Sequence, residues 1–168
     1  MKVATTIGEM ETAEKRCIVL EDGLVGLPGA VRFVLGKDCD DSPFHWLQCL
    51  DDPSLALAVV RPADFFIDYS FDLQDADIES LGIESADEAV VLTTITLDAK
   101  KQRVTTNLLG PIVINGRTLV GKQVVLSNDQ YATKHVLFEC SGRPKVRVRS
   151  SSGAKTTRKT NVPVARAA

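Results

Sequence analysis

The residues with the most evident chemical potential are Gly116-Arg-Thr-Leu-Val-Gly121-Lys122, which fit the first seven positions of a phosphate-binding loop. In such a loop the backbone amides and the lysine cradle phosphates, and a hydroxyl at the eighth position ligates magnesium. Gln123 stands where that Ser or Thr is needed, and Val124-Val125-Leu126 continues as a strand, not as a helix whose amino end faces the phosphate. The segment therefore reads as a hairpin, with glycines at the turn and at a close approach. The glycines of residues 23–29 are weaker still as a cofactor loop, since Pro28 interrupts them and no βαβ unit surrounds them.

Soft metal ligands are available in Cys39, His45 and Cys49, with His135 or Cys140 as a distant fourth, but the spacing fits no compact zinc pattern. His45, Leu47 and Cys49 would share one strand face, which favours packing. The two histidines accompany no recognisable nucleophile motif. The carboxylate pairs Asp40-Asp41 and Asp51-Asp52 lie in turn-like sequence, where acids serve solvation and turn geometry more often than proton transfer. The expectation is a protein without a catalytic site, metal or cofactor; an enzyme using His45 or a thiol would predict a titrating or metal-bound centre.

The elements that must position these residues are mostly strands. Apolar residues recur every second position at Val31, Phe33 and Leu35, at Leu55, Leu57 and Val59, and at Val91, Ile95 and Leu97 with Thr93 between. Further β-branched runs occupy 16–20, 45–50, 111–115 and 118–126, separated by Gly, Pro, Asn and Asp clusters that close turns. Asn115-Gly116 is the clearest hairpin signal, since both residues accept positive φ. One helical turn is expected at Asp75–Leu81, capped by Asp75 or Asp77 and terminated by Gly82. The fold class is mainly β: one small antiparallel barrel-like domain with one or two short helical turns, covering residues 1–141.

At 168 residues with 44% hydrophobic content, the chain can build one core. No apolar run approaches a membrane span and the start lacks a secretory layout, so a soluble cytoplasmic protein is expected. Its four cysteines are scattered and read as free thiols. The net charge of −2 conceals a split: residues 142–168 carry eight Lys or Arg and no acid, leaving 12 basic against 22 acidic side chains in 1–141. An acidic body favours a basic partner. The tail, rich in Ser, Thr, Lys and Arg, cannot bury enough apolar surface to offset its ordering entropy, and is expected to be disordered. It opens an alternative function, direct RNA contact through its cations, although no aromatic residue follows Phe138 to stack on bases.

Four segments then appear in order: Gly23-Leu-Val-Gly-Leu-Pro-Gly29, residues 43–62 (PFHWLQCLDDPSLALAVVRP), Thr105-Thr-Asn-Leu-Leu-Gly-Pro-Ile-Val-Ile-Asn115, and Gly121-Lys-Gln-Val-Val-Leu126 followed by Tyr131 and His135. Together they resemble the flagellar assembly factor FliW family over four fifths of the chain, to about residue 138. The basic tail is not part of that pattern. The resemblance implies a small antiparallel barrel and a non-enzymatic chaperone that binds flagellin in the cytoplasm. The resemblance further implies that after flagellin export it binds the translational regulator CsrA, an allosteric antagonism that relieves repression of flagellin synthesis. A protein that is a monomer by itself is expected. The resemblance does not assign interface residues. Exposed acids and aromatics at residues 65–79 are the candidates, namely Phe65, Phe66, Asp68, Tyr69, Asp72 and Asp75, with Asn107 as a turn residue suited to contacting exposed backbone.

Overall fold

The alternating apolar pattern folds as strands. A computed structural model describes residues 2–5, 8–11, 17–37, 41–127 and 129–139. The strands are β1 (Lys2–Thr5), β2 (Gly8–Glu11), β3 (Ile18–Leu20), β4 (Arg32–Lys37), β5 (Phe44–Cys49), β6 (Ala56–Val60), β7 (Ala89–Asp98), β8 (Arg103–Thr106), β9 (Ile112–Asn115), β10 (Val120–Gln123) and β11 (His135–Glu139). One helix, α1 (Asp75–Leu81), and two 3-10 turns, Pro62–Asp64 and Ala86–Glu88, lie between β6 and β7. The predicted tail at 142–168 lies outside the described residues, as do Cys39 and Cys140.

The strands β3-β4-β5-β6-β7-β9-β10 close on themselves as a seven-stranded barrel, consistent with the expected fold class. The ten residues of β7 serve two neighbours on one edge. Ala89–Leu92 pair with β9, and Ile95–Asp98 pair with β8, which carries β11 on its far side. The barrel is not wholly antiparallel: β10 pairs with β3 in parallel, Val120 opposite Val19 and Gly121 opposite Leu20. The reason is parity. Strands that alternate direction around a closed ring return in phase only when their number is even, so seven strands require one parallel contact. A separate β1–β2 hairpin, which the apolar pattern did not signal, makes its own two-stranded sheet.

Two apolar clusters hold this frame. The barrel interior is filled by Leu20, Phe33, Leu47, Cys49, Val59, Leu92 and Ile112, with Leu55 and Leu57 packed against them, so Phe33, Leu55, Leu57 and Val59 face inward as their spacing predicts. In β7, by contrast, the inward residues are Val90 and Leu92 and not the Val91, Ile95 and Leu97 set, and Leu35 and Leu97 are exposed. Outside the wall, Leu81, Val113, Val124 and Leu126 meet Phe71, Leu73, Ile83 and Tyr131. β9 is buried along its whole length because Ile112 and Ile114 belong to the first cluster and Val113 to the second. Gly121 sits where a Cβ would meet the Leu20 side chain at 2.7 Å and the Val113 carbonyl at 3.1 Å, which is the expected close approach.

Three local expectations change. The helix spans Asp75–Leu81 and ends on Gly82 in the left-handed region, φ 61°, but its amino cap is Gln74, without a side-chain bond. Asp77 is instead engaged by Lys122, Nζ to Oδ1 2.8 Å, so the lysine of the phosphate-loop-like segment clamps α1 to β10. At Asn115-Gly116 the turn is longer than a two-residue hairpin: the Leu119 amide donates to the Asn115 carbonyl, and the positive φ falls on Leu119 at 63°. The physical cause is the fully buried Asn115 side chain. Its Oδ1 accepts from the Arg117 and Thr118 amides while its Nδ2 donates to the Leu81 and Gly82 carbonyls, joining the turn to the end of α1. Burying the amide requires all of these partners. Finally, the run at 118–126 is strand only over Val120–Gln123, although Val124 and Leu126 still donate backbone bonds to Pro111 and Leu109. Among the described residues no helix is long and apolar enough to cross a membrane.

Candidate functional site

Between Arg61 and Lys100 the chain carries no Lys, Arg or His, and residues 64–88 contain nine Asp or Glu. This acidic stretch leaves the barrel at β6 and returns at β7, so the fold gathers it on one outer face. Pro62 opens the first 3-10 turn, where its fixed φ suits the position. Its carbonyl accepts from the Phe65 and Phe66 amides, and the Phe66 carbonyl from the Tyr69 amide. These tight bonds half-bury Phe65, Phe66 and Tyr69 and turn Ile67 outward at 96% exposure.

The three aromatics enter two ring series. Phe65 stacks on Phe44 at 6.3 Å, and Phe44 meets Phe138 of β11 at 6.0 Å. Phe66 meets the His135 ring edge-on at 6.2 Å, His135 meets Tyr131, and Tyr131 lies 4.7 Å from Tyr69, which in turn contacts Phe71. Ring pairs at these distances add to the burial of their surfaces. Polar atoms fix the series. The Tyr69 hydroxyl donates to the Leu108 carbonyl at 2.9 Å, and burial, with a smaller contribution from Tyr131, pushes its phenol well above the ordinary range. The Tyr131 hydroxyl donates to the Ser70 carbonyl and accepts from the Ser70 amide. His135 Nε2 accepts from the Ala132 amide at 2.8 Å, which places any ring proton of the neutral form on Nδ1.

Beside this belt runs an open groove of about 670 Å³. Phe71, Leu73, Ile83 and Val91 give it apolar lining, while Asp72, Glu84 and Asp87 contribute carboxylates against one cation, Arg61. Glu84 and Glu88 also face Arg117 at 3.8 and 3.4 Å, both across exposed guanidinium surface. Of the predicted residues, Tyr69 and Asp72 line the groove and Phe65 and Phe66 belong to the adjoining belt. Asp68 is exposed between Ile67 and Tyr69, and Asp75 is exposed at the first residue of α1.

Asn107 stands apart from them. Its Oδ1 accepts from the Leu109 and Gly110 amides, which forms the turn between β8 and β9, and it borders a separate hollow of about 160 Å³ with Val25, Leu109, Gln123 and Val125. Gln123 ties that end together, accepting from the Val25 amide at 2.8 Å and donating to the Gly110 carbonyl at 3.1 Å. Three of the four family-like segments therefore meet through one side chain. Residues of this face not singled out as interface candidates from sequence are Ile67, Phe71, Tyr131, His135, Phe44 and Phe138. Their signal was slight: Phe65-Phe66-Ile67 is more apolar surface than one turn can bury.

Of the ligand types of the metal reading, Cys39 and Cys140 lie outside the described residues. Cys49 is buried with its Sγ accepting from the Asp52 amide at 3.4 Å, and His45 Nδ1 lies 3.2 Å from the Pro43 carbonyl. Among the described residues no group of three or more His, Cys, Asp or Glu is placed to hold a metal ion. In the turn between β5 and β6, Asp51 accepts from the Arg32 backbone amide and guanidinium and from the Val31 amide, and these bonds hold its carboxyl below the ordinary value. Asp51 is thus a structural acid.

Comparison with known proteins places this geometry. A family profile described as "FliW protein" matches residues 2–137. The flagellar assembly factor FliW of Bacillus licheniformis is 40% identical over 127 residues, covering 76% of this chain and 89% of that protein. The FliW of Geobacter sulfurreducens is 35% identical over 158 residues, covering 94% of this chain and 99% of its own, so its alignment extends into the basic tail. A solved structure, "Crystal structure of the flagellar assembly factor FliW", superposes with a TM-score of 0.76 at 34% identity, across 84% of this chain and all of that one.

Proposed function

Because the chain belongs to the FliW family, we propose that it is a flagellar assembly factor acting by protein binding, with no catalytic step. In this reading it is a cytoplasmic monomer that holds flagellin as a chaperone. Once flagellin is exported it binds the translational regulator CsrA away from the RNA-contacting surface, relieving repression of flagellin synthesis. The observation that carries the binding reading is the acid-rimmed apolar groove and the aromatic belt beside it, with Ile67 projecting at 96% exposure. An apolar floor supplies contact area, and the carboxylates steer a basic partner such as an RNA-binding regulator. Tyr69 and Asp72 are proposed as groove contacts, Phe65, Phe66, Asp68 and Asp75 as its margin, and Asn107 as a contact only through the turn it holds.

Calorimetric titration against the CsrA and flagellin of the same organism, at two salt concentrations, tests this. Saturable binding to either partner, weakened by salt and by Asp72→Lys, is expected. Heats indistinguishable from dilution for both partners would end the reading and leave only the fold. Direct RNA binding through residues 142–168 is the competing function. It predicts RNA affinity that disappears when the tail cations are reversed, while the groove substitution has no effect.

A further inference from the structure

The described residues end at Glu139, at the close of β11, and the sequence beyond it holds eight Lys or Arg and no acid. Within it, Arg143-Pro-Lys-Val-Arg-Val-Arg149 alternates valine with cations. We propose that the acid-rimmed groove is a docking site for this segment of the chain itself, residues 143–149, which would compete there with partners.

Three observations support that occupant over others. The first is charge: the groove is lined by Asp72, Glu84 and Asp87 against Arg61 alone, within a stretch of nine acids and no cation between residues 64 and 88, and the segment carries the opposite sign with no acid. The second is pattern. In an extended segment Val146 and Val148 project to one side, toward a floor of Phe71, Leu73, Ile83 and Val91, and Lys145, Arg147 and Arg149 to the other, where long side chains reach Asp72, Glu84 and Asp87. The third is reach. The chain leaves β11 beside Phe138, whose ring is 6.0 Å from Phe44, which is 6.3 Å from Phe65; the Phe65 amide bonds Pro62, a residue of the groove wall. Residues 140–149 can extend roughly 33 Å at about 3.3 Å per residue, more than twice the ~14 Å radius of gyration of a domain of this size. A covalently attached segment acts at a local concentration on the order of millimolar, so weak individual contacts suffice.

The docking itself does not depend on the proposed function; only the competition does. Amide NMR spectra of the full chain and of a full-length Lys145→Glu/Arg147→Glu/Arg149→Glu variant decide the docking. At low salt, signals of Phe71, Leu73, Ile83 and Val91 should differ between the two. The difference should collapse in about 1 M NaCl, where the screening length is about 3 Å. An Asp72→Lys/Asp87→Lys chain should reproduce the change. Identical groove signals, changes confined to another face, or shifts that grow with protein concentration, as a second copy would give, overturn the proposal. So would tail signals that respond only to added RNA while the groove stays silent. In parallel, the tail-reversed chain should bind CsrA on the order of tenfold more tightly. Equal affinities would refute the competition while the NMR result stands. No binding by either chain would refute the proposed function alone.

Discussion

The turn that joins β9 to β10 and the acidic stretch between β6 and β7 use polar groups in opposite ways. In the first, Asn115 is fully buried and makes four bonds, Gly121 leaves no room for a Cβ, and Lys122 is held by Asp77. In the second, residues 64–88 gather nine acids with no cation of their own, and Ile67 stands in solvent. The contrast separates residues that identify the family from residues proposed to meet a partner. The family-like segments converge on bonds that fix the barrel, whereas the exposed face has no motif that would mark it.

Substitutions can break or sharpen this contrast. The largest effect is expected in the barrel interior: Phe33→Ala removes a fully buried ring and should cost about 3–5 kcal/mol in urea unfolding. A cost under 1 kcal/mol would mean that the barrel is not the cooperative core. Asn115→Ala strands two carbonyls and two amides of the buried turn, so a loss of roughly 2–3 kcal/mol is expected. A variant as stable as the natural chain would show that those four bonds do not hold α1 to the barrel.

Asp51→Asn should have a smaller effect with a defined pH signature. The folded carboxyl is held below its ordinary value of 3.8, first by the Arg32 amide and then by its guanidinium. A lowered folded value means that the stabilisation is full above the ordinary value and disappears as pH falls through the lowered one. The natural chain should therefore exceed the variant at pH 7 and converge with it in acid. A gap that persists unchanged into acid would assign the effect to packing. Ile67→Ser should be nearly silent in stability, within about 0.5 kcal/mol, yet weaken calorimetric partner binding by on the order of tenfold. Unchanged affinity would remove Ile67 from the interface.

What sequence made legible is governed by range. α1 was readable to its ends because its apolar pair and Gly82 lie within eight residues, and β4 to β6 because alternation is local. Leu47, Leu55, Leu57 and Val59 fill or line the barrel as their spacing indicates. A small barrel was legible from the many short strands without long helices between them, but the number of strands was not, since alternation says nothing of how many meet, and seven strands force the one parallel pair. The cap of α1 was misread because Asp77 is drawn to Lys122, 45 residues away. For the candidate site, the acids and aromatics at 65–79 could be named, but not the belt, which depends on Tyr131, His135 and Phe138 arriving from β11 and the loop before it.

The parallel contact between β3 and β10 also sets a timetable. β3 is complete at Leu20, and its partner Gly121 is made about 100 residues later. At synthesis rates of about 5–20 residues per second, that delay is on the order of 5–20 s. Until then the outer edge of β3 has unpaired amides and carbonyls, the kind of edge that recruits strands from neighbouring chains. Crowded polysomes are where this barrel is most exposed to misassembly, and slower translation would lengthen the interval.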